Sequence, residues 1–437
     1  MKGYVKIFTY GCQMNDLDTQ KMYSLLAQDG WQPTERTAKA DLIILNTCTV
    51  REKATQKALS NLGRLRENKQ AKPELIIAVA GCVAQQEGLN LRRKLPFIDI
   101  VLGTHQLHRL NELVEEERRQ RRPLAATECY TEMVPGLEII PDQRFASAQH
   151  RAYLNIMQGC NNFCTYCIVP YVRGREISRP VASILDEVRQ VTADGAKEIF
   201  LLGQNVNSYA GGASFTELLR EIHAIEGVQR LRFTTSHPKD MSPELIECFN
   251  ALPKLCHYLH LPFQSGSNRV LKAMHRSYSR EHYLELIARL RQAAPELAFS
   301  ADVIVGFPGE SESEFMETME LIEQVRFDNL FSFKYSPRPG TKAAELPDDV
   351  SRAEKERRLE ILQSRQKQIT LENNQARVGK IYDVLVDARS KRDTSQLNGR
   401  TTHNLIVNFA GAPELLGQTV KVRITQANQN SLVGELV

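Results

Sequence analysis

Cys160, Cys164 and Cys167 fall within the eight residues CNNFCTYC, at a Cys-x3-Cys-x2-Cys spacing. Thiolates so close together hold either an iron–sulfur cluster or a structural zinc, and each normally takes four such ligands. This run supplies three. One alternative is a stripe of buried cysteines at i, i+4 and i+7 of a helix, since free cysteine is among the most buried residues. Against it, the intervening NNF and TY are poor helix formers, and Asn161-Asn162 suits a turn. Against zinc, the usual second Cys-x2-Cys pair is missing. A four-iron cluster on three thiolates would leave one iron open to a ligand from elsewhere.

A second trio is spread out. Cys12, Cys48 and Cys82 are 36 and 34 residues apart, and each follows a short β-rich run: YVKIFTYGC, ADLIILNTC and ELIIAVAGC. That interval is close to one strand–helix repeat of a parallel sheet. In such a sheet the carboxyl ends of the strands share one edge, where ligands bind, so the three cysteines are expected to converge. Helical patterns at Asp18 to Gln28 and Glu52 to Arg66 lie between them, and FIDIVLGT reads as a fourth strand without a cysteine. The remaining cysteines earn no role. Cys129 stands in a linker, while Cys248, Cys256, His257 and His260 do not make a zinc set, because on a strand Cys256 and His260 point opposite to His257. His260 is the one expected to face a cavity, and Trp31, the sole tryptophan, is read as core.

The elements that must carry these groups fall into three blocks, as 437 residues require more than one core. After the charged run Glu115 to Arg122, a proline-containing stretch with little periodicity reads as a linker. From about Arg151 strands alternate with helices: YLNIM, KEIFLLG, RLRFTT, HYLHL, FSADVIVG and NLFSFKYS. Six such units suggest a partial or complete parallel barrel with its chemistry at the C-terminal strand ends, and the three-cysteine run directly follows the first. A connecting helix with Leu359, Leu362 and Ile369 near one face follows, then short alternating strands KIYDVLVD, NLIVNF and TVKVRIT, a small all-β barrel or sandwich. The fold class is therefore α/β with a small all-β C-terminal domain.

The bulk numbers exclude less. A 42% hydrophobic and 25% charged composition is that of a globular protein. The start MKGYVKIFTY lacks a signal-peptide core and no run is apolar enough to span a bilayer, so the expected location is the cytoplasm, where nine cysteines stay reduced. The net charge of +4 is uneven: Ala376 to Val437 carries eight Lys/Arg against five acids. Arg389, Lys391, Arg392 and Arg400 are the candidate phosphate contacts there, set against a merely solvated charged face.

CNNFCTYC resembles the cluster motif of the radical S-adenosylmethionine superfamily, in which the position of Tyr166 is aromatic. The resemblance implies that the open iron is chelated by the amino and carboxylate groups of S-adenosylmethionine, whose sulfonium bond is cleaved on one-electron reduction to leave a 5′-deoxyadenosyl radical. GAKE, Gly195 to Glu198, resembles the element that holds the cofactor's amino group, making Glu198 a candidate contact. ADVIVGFPGE resembles the later glycine–isoleucine motif, with Asp302 where that pattern has its first glycine and Glu310 shifted by one. Tyr166, Glu198 and Asp302 are thus the candidate cofactor-binding residues.

Over the whole chain, TYGCQMN, NTCTVREKA, GCVAQQ, MQGCNNFCTYCIVPYVRGREISRP, TSHP, HLPFQSGS and YSPRPGTKAA are similar to the methylthiotransferase family, and most of all to its tRNA branch. The resemblance implies a methylthiotransferase domain at 3–119, a linker at 120–145, a radical core at 146–375 and a TRAM domain at 376–437. It also implies two [4Fe-4S] clusters, one on Cys160, Cys164 and Cys167 and an auxiliary one on Cys12, Cys48 and Cys82. The expected reaction is methylthiolation of carbon 2 of isopentenyladenosine beside the anticodon, with S-adenosylmethionine as methyl donor and radical source. That carbon bears an unactivated C–H that no side-chain base could usefully deprotonate, so no nucleophile or acid–base triad is assigned. Expected partners are the tRNA anticodon loop and an electron donor such as flavodoxin or a ferredoxin-type reductant, on a monomer. The rival targets are threonylcarbamoyladenosine tRNA and a ribosomal-protein aspartate, whose branches resemble GCKVN and GCPKN where this chain has GCQMN. The rival of another class is a non-catalytic iron–sulfur or RNA-binding protein.

Overall fold

The structure, a computed structural model, describes residues 1–49, 52–120, 129–133, 150–390, 393 and 395–437, with the backbone alone at 52–54 and 120. The chain forms two compact units: Met1–Ser147 with Met157–Asn161 and Cys167–Ser178, and Ala148–Ile156 with Asn162–Tyr166 and Arg179–Val437.

In the first unit β1 (Gly3–Thr9), β2 (Trp31–Pro33), β3 (Leu42–Thr47), β4 (Ile76–Gly81), β5 (Ile100–Leu102) and β6 (Cys129–Tyr130) make a parallel sheet in the order β2-β1-β3-β4-β5-β6. Strands β3 and β4 are buried along their whole length, as parallel strands covered on both faces must be. Leu42 and Ile44 join one core with Met22, Leu26, Trp31, Leu110 and Val114, whereas Ile43 and Leu45 join another with Leu62, Leu65 and Ile77. The two-residue alternation thus splits one strand between two apolar layers. Trp31 is core, as expected. Cys129 is a correction: it is not in a featureless linker but in β6, paired through Val101 and Leu102 to the edge of the sheet. Two residues with one apolar neighbour leave too little periodicity to read as a strand. Most of the remaining linker lies outside the described residues.

After β7 (Arg151–Asn155), which belongs to the second unit, β8 (Met157–Gln158) and β9 (Ile177–Ser178) form an antiparallel pair in the first. The segment from Gly159 to Ile168 between them is not helical, which removes the helical-stripe alternative for its cysteines.

The second unit is built on β7, β10 (Glu198–Leu202), β11 (Arg230–Phe233), β12 (Tyr258–His260), β13 (Ala298–Val305) and β14 (Asn329–Lys334). They are parallel, in the orders β11-β10-β7 and β12-β13-β14, with a parallel bridge from Leu231 to Leu255 joining the halves. All six expected strands are present, and the barrel is partial: among the described residues no pairing closes β7 on β14. Helices start at serine caps, Ser214, Ser242, Ser279 and Ser311, with Glu217 and Glu314 completing capping boxes.

The helix Arg352–Gln375 leads to β15 (Ile381–Arg389), β16 (Gln396–Thr401), β17 (Ile406–Ala410), β18 (Thr419–Ala427) and β19 (Leu432–Leu436), a closed barrel in the order β15-β16-β17-β19-β18. Strands β16 and β19 are not legible in the sequence pattern. Each contains a glycine, Gly399 or Gly434, where a side chain would meet a neighbouring backbone carbonyl at 2.5 or 2.6 Å. Tight closure demands the residue that breaks the strand pattern.

This barrel is fastened to the N-terminal ends of the parallel strands by buried charge. Arg230 donates to the carbonyls of Arg400 and Asp383, and Arg232 to those of Thr401 and Thr402. Glu198 is fully buried between Arg151 and Arg232, and Arg151 also reaches Asp387 at 3.3 Å. Burial alone would raise the Glu198 pKa; the charges of Arg232 and Arg151 outweigh it and hold the carboxyl at about 2. Glu198→Gln is therefore expected to cost about 3–5 kcal/mol, because it leaves buried guanidinium charge uncompensated. Asp387→Asn, partly solvated, should cost about 1 kcal/mol or less. The Glu198 contribution is present above its ordinary value near 4.5 and fades as pH falls from there towards about 2. Denaturant unfolding of both variants checks this; equal stability of Glu198→Gln and the parent would refute it.

Candidate functional site

Strand register brings the dispersed cysteines together. Thr9 of β1 pairs with Asn46 of β3, and Thr47 pairs with Gly81 of β4, so Cys48 and Cys82 emerge side by side one residue beyond the strands. Cys12 caps the helix Gln13–Gln28. A side chain at Gly11 would place its Cβ 2.7 Å from Cys48 Cβ, which measures how near the first turn lies to the second cysteine. The turns are locked by side chains. Asn15 Nδ2 donates to Asn46 Oδ1 (3.1 Å) and the Thr47 carbonyl (3.2 Å), while Asn46 Nδ2 returns a bond to the Asn15 carbonyl (2.7 Å). Thr47 Oγ1 donates to the Ala80 carbonyl at 2.6 Å, tying the second strand end to the third.

Their thiols differ in acidity. A hydrogen bond from the Cys48 thiol is the main cause that lowers Cys12 to about 6, helped by Arg173 and the Asn15 and Met14 amides against the opposing effect of burial. Burial pushes Cys82 up, opposed by the charge of Arg173. The Thr49 hydroxyl, next to Cys48, is buried without a partner among the described residues.

In the compact three-cysteine run each residue is held differently. In the first unit the Cys160 amide donates to the Gly174 carbonyl at 3.2 Å, and Asn161 Oδ1 accepts from the Glu176 amide. Gly159, at φ +81°, is required: a Cβ there would fall 2.0 Å from the Arg175 carbonyl. In the second unit Phe163 takes a left-handed φ of 45°, and Thr165 bonds the Met274 and Ala273 carbonyls. Tyr166 packs against Val270, Met274, Phe307, Tyr335 and Ala343. Arg276 Nη1 lies 3.5 Å from Cys164 Sγ, its fork fixed by the Pro262 carbonyl and Tyr278 hydroxyl.

These surroundings fit anionic sulfur clusters. Among the described residues no three His, Cys, Asp or Glu are arranged to hold a single metal ion. The buried Arg276 has no carboxylate partner among them and points at Cys164 Sγ, a setting suited to an anionic group at that cysteine. The second unit also converges polar groups beyond its strands: the buried Asn205 Oδ1 and Ser236 Oγ have no partner among the described residues, and His260, at the end of β12, bonds Ser300 Oγ (2.8 Å) and faces Asp302 at 3.5 Å.

Not every expected site residue joins this edge. Glu198 is the first residue of β10, at the opposite strand end from the cysteine run, with both carboxylate oxygens engaged by arginine, so it is not free to hold a ligand's amino group. The GAKE resemblance misled because four residues carry no information about which end of a strand they occupy. Glu310 accepts from the Gly306 amide and from Arg358, bracing the turn after β13. Arg400 donates to Asn404 and has its own carbonyl bound by Arg230, which turns it into the junction instead of towards RNA; Arg389 is exposed, and Lys391 and Arg392 lie outside the described residues. Sequence reasoning missed Asn15, Asn46, Arg173 and Arg276. Only the asparagines had a signal, three residues after one cysteine and two before another.

Three family models match successive parts of the chain: the uncharacterized protein family UPF0004 over residues 4–103, the radical SAM superfamily over 154–322 and the TRAM domain over 375–437. In solved structures the fold is similar to a radical S-adenosylmethionine methyltransferase from Kitasatospora setae with cobalamin and a [4Fe-4S] cluster bound (TM-score 0.58, 16% identity, 79% of this chain and 77% of that one). A cobalamin-dependent S-adenosylmethionine radical enzyme with aqua-cobalamin bound gives a TM-score of 0.53 at 13% identity, over 83% and 56%. Curated proteins named tRNA-2-methylthio-N(6)-dimethylallyladenosine synthase are far nearer. That of Syntrophus aciditrophicus is 50% identical over 100% of this chain and 95% of its own length, and that of Geobacter metallireducens 51% over 98% and 97%. With all three blocks matched in order and half of all residues shared from end to end, the chain belongs to the family of tRNA-2-methylthio-N(6)-dimethylallyladenosine synthases, radical S-adenosylmethionine enzymes.

Proposed function

We propose that this protein methylthiolates carbon 2 of isopentenyladenosine beside the anticodon of tRNA, with S-adenosylmethionine as methyl donor and radical source. The observation that carries the reading is the convergence of Cys12, Cys48 and Cys82 on one sheet edge, in a chain that also holds the compact Cys160, Cys164, Cys167 run. Cys160, Cys164 and Cys167 would hold the radical [4Fe-4S] cluster, with Tyr166 packed beside them, and Cys12, Cys48 and Cys82 the auxiliary one. Bound together, the clusters and S-adenosylmethionine supply the one-electron, hydrogen-abstracting and sulfur chemistry that no side chain here could.

The chain's own part is positioning. The Asn15–Asn46 lock holds two auxiliary thiols in place, and Arg173 and Arg276 offset thiolate charge. Asp302, beside His260, and the Asn205 Oδ1 and Ser236 Oγ atoms, which have no partner among the described residues, are suited to hold the polar groups of S-adenosylmethionine. The boundaries we assign are 3–119 for the methylthiotransferase domain, 120–145 for the linker, within which Cys129–Tyr130 joins the sheet, 146–375 for the radical core and 376–437 for the TRAM domain. Of the four candidate phosphate contacts, Arg389 is the one that is both described and exposed, and we assign it to the RNA interface. A flavodoxin- or ferredoxin-type donor would supply electrons to a monomer in the cytoplasm; no described helix is long and apolar enough to cross a membrane.

Reconstituted anaerobically with iron and sulfide, then given S-adenosylmethionine, reductant and isopentenylated tRNA, the protein should yield the methylthio nucleoside by mass spectrometry. 5′-Deoxyadenosine without modified tRNA would point to a sibling substrate, threonylcarbamoyladenosine tRNA or a ribosomal-protein aspartate. Neither product, with both clusters intact, would overturn the enzyme reading. Replacing Cys12, Cys48 and Cys82 by alanine should abolish methylthio transfer and leave some cleavage of S-adenosylmethionine, whereas Cys164→Ala should abolish both; loss of all cleavage in the first variant would argue against separate clusters. In filter binding at several salt concentrations, Arg389→Ala should weaken tRNA affinity and reduce the log–log salt slope by about one, with an unchanged slope removing Arg389 from the interface.

A further inference from the structure

Arg173 is an uncommon feature: a nearly fully buried guanidinium six residues beyond Cys167, yet placed against the other cysteine trio. It follows the short helix Val169–Val172, whose Val172 packs with Ile168 on Cys82. Thr104 Oγ1 donates to the Val172 carbonyl, which pins the turn. From there Arg173 Nη2 forms an ion pair with Asp18 at 2.7 Å, and its charge acts on both Cys82 and Cys12. Asp18 is itself buried, on the helix that Cys12 caps. The next residue, Gly174, accepts the Cys160 amide through its carbonyl. Of two consecutive residues, Arg173 thus pairs with the helix that Cys12 caps, and Gly174 holds Cys160.

We propose that Arg173 is a positioning residue that sets the charge, and with it the reduction potential, of the cluster on Cys12, Cys48 and Cys82, and that Asp18 trims this effect. The inference rests on the assignment of that auxiliary cluster. Reduction adds an electron to the cluster, so a nearby fixed cation stabilises the reduced state. The carboxylate of Asp18 opposes it. Without Asp18 the cation would be uncompensated, and without Arg173 the carboxylate would face the thiolates unshielded. The radical trio has a different arrangement, with Arg276 at Cys164 and no carboxylate paired to it among the described residues. The two clusters are thus given different electrostatic settings by arginines from different parts of the chain.

The test uses the full-length chain carrying Cys160→Ala, Cys164→Ala and Cys167→Ala, so that only the auxiliary cluster is assembled. Its potential is followed by electron paramagnetic resonance during a redox titration. Arg173→Gln should lower the potential and Asp18→Asn should raise it, while Arg173→Lys should stay nearer the parent. A purely structural role would move the first two in the same direction, by loosening the site, and would overturn the proposal, as would unchanged potentials in both. If Arg173→Gln fails to assemble a cluster, the rise in Asp18→Asn and the position of Arg173→Lys still decide it. Absence of any cluster signal in the parent carrying only the three alanines would bring down the auxiliary-cluster assignment itself, a different failure from an unshifted potential.

Discussion

Parallel register between β1, β3 and β4 is the constraint on which the N-terminal site depends. Side chains along a strand alternate faces, so a slip of one residue would exchange the two apolar layers and turn Leu42 and Ile44 to the core now filled by Ile43 and Leu45. Register and burial are therefore specified together. The same register places Thr47 opposite Gly81, and so sets two cysteines next to one another although 34 residues of chain separate them. A third cysteine reaches them through a helix cap, and the reciprocal Asn15–Asn46 bonds hold that cap to the strand end. Nothing in this arrangement needs a metal to bring the thiols together; the sheet does so through its own hydrophobic burial.

Buried arginine is the second recurrent device. Arg173, Arg232 and Arg276 are each nearly or fully buried, where an unpaired charge is costly. Their compensation differs with their task. Arg232 faces Glu198 and the carbonyls of β16 and the turn after it, and fastens the C-terminal barrel to the parallel strands. Arg173 pairs with the carboxylate of Asp18, and Arg276 faces sulfur with, among the described residues, only neutral oxygen partners besides.

Much of the architecture is legible in the order of residues alone. Six barrel strands, the capped helices between them and the two cysteine sets follow from apolar runs, serine caps and spacing. What escapes has a common physical origin. The strands β6, β16 and β19 are short or carry a glycine demanded by close packing, so the periodicity that marks a strand is absent where the fold is tightest. Glu198 and Arg400 are misread for another reason. A charged residue looks available in sequence, and only the three-dimensional partners reveal that both are committed to a buried junction.

By itself the sequence determined the chemistry on offer: three thiols in eight residues, three more at strand ends, and an order of blocks shared with one enzyme family. Ligand type and local spacing are covalent facts, and strand–helix periodicity is a local one. The tertiary structure decided which groups surround those thiols, because Arg276 comes from 112 residues beyond Cys164 and Asp18 meets Arg173 across 155 residues. Electrostatic environment is set by distance in space and by exclusion of water, neither of which the order of residues along a chain records.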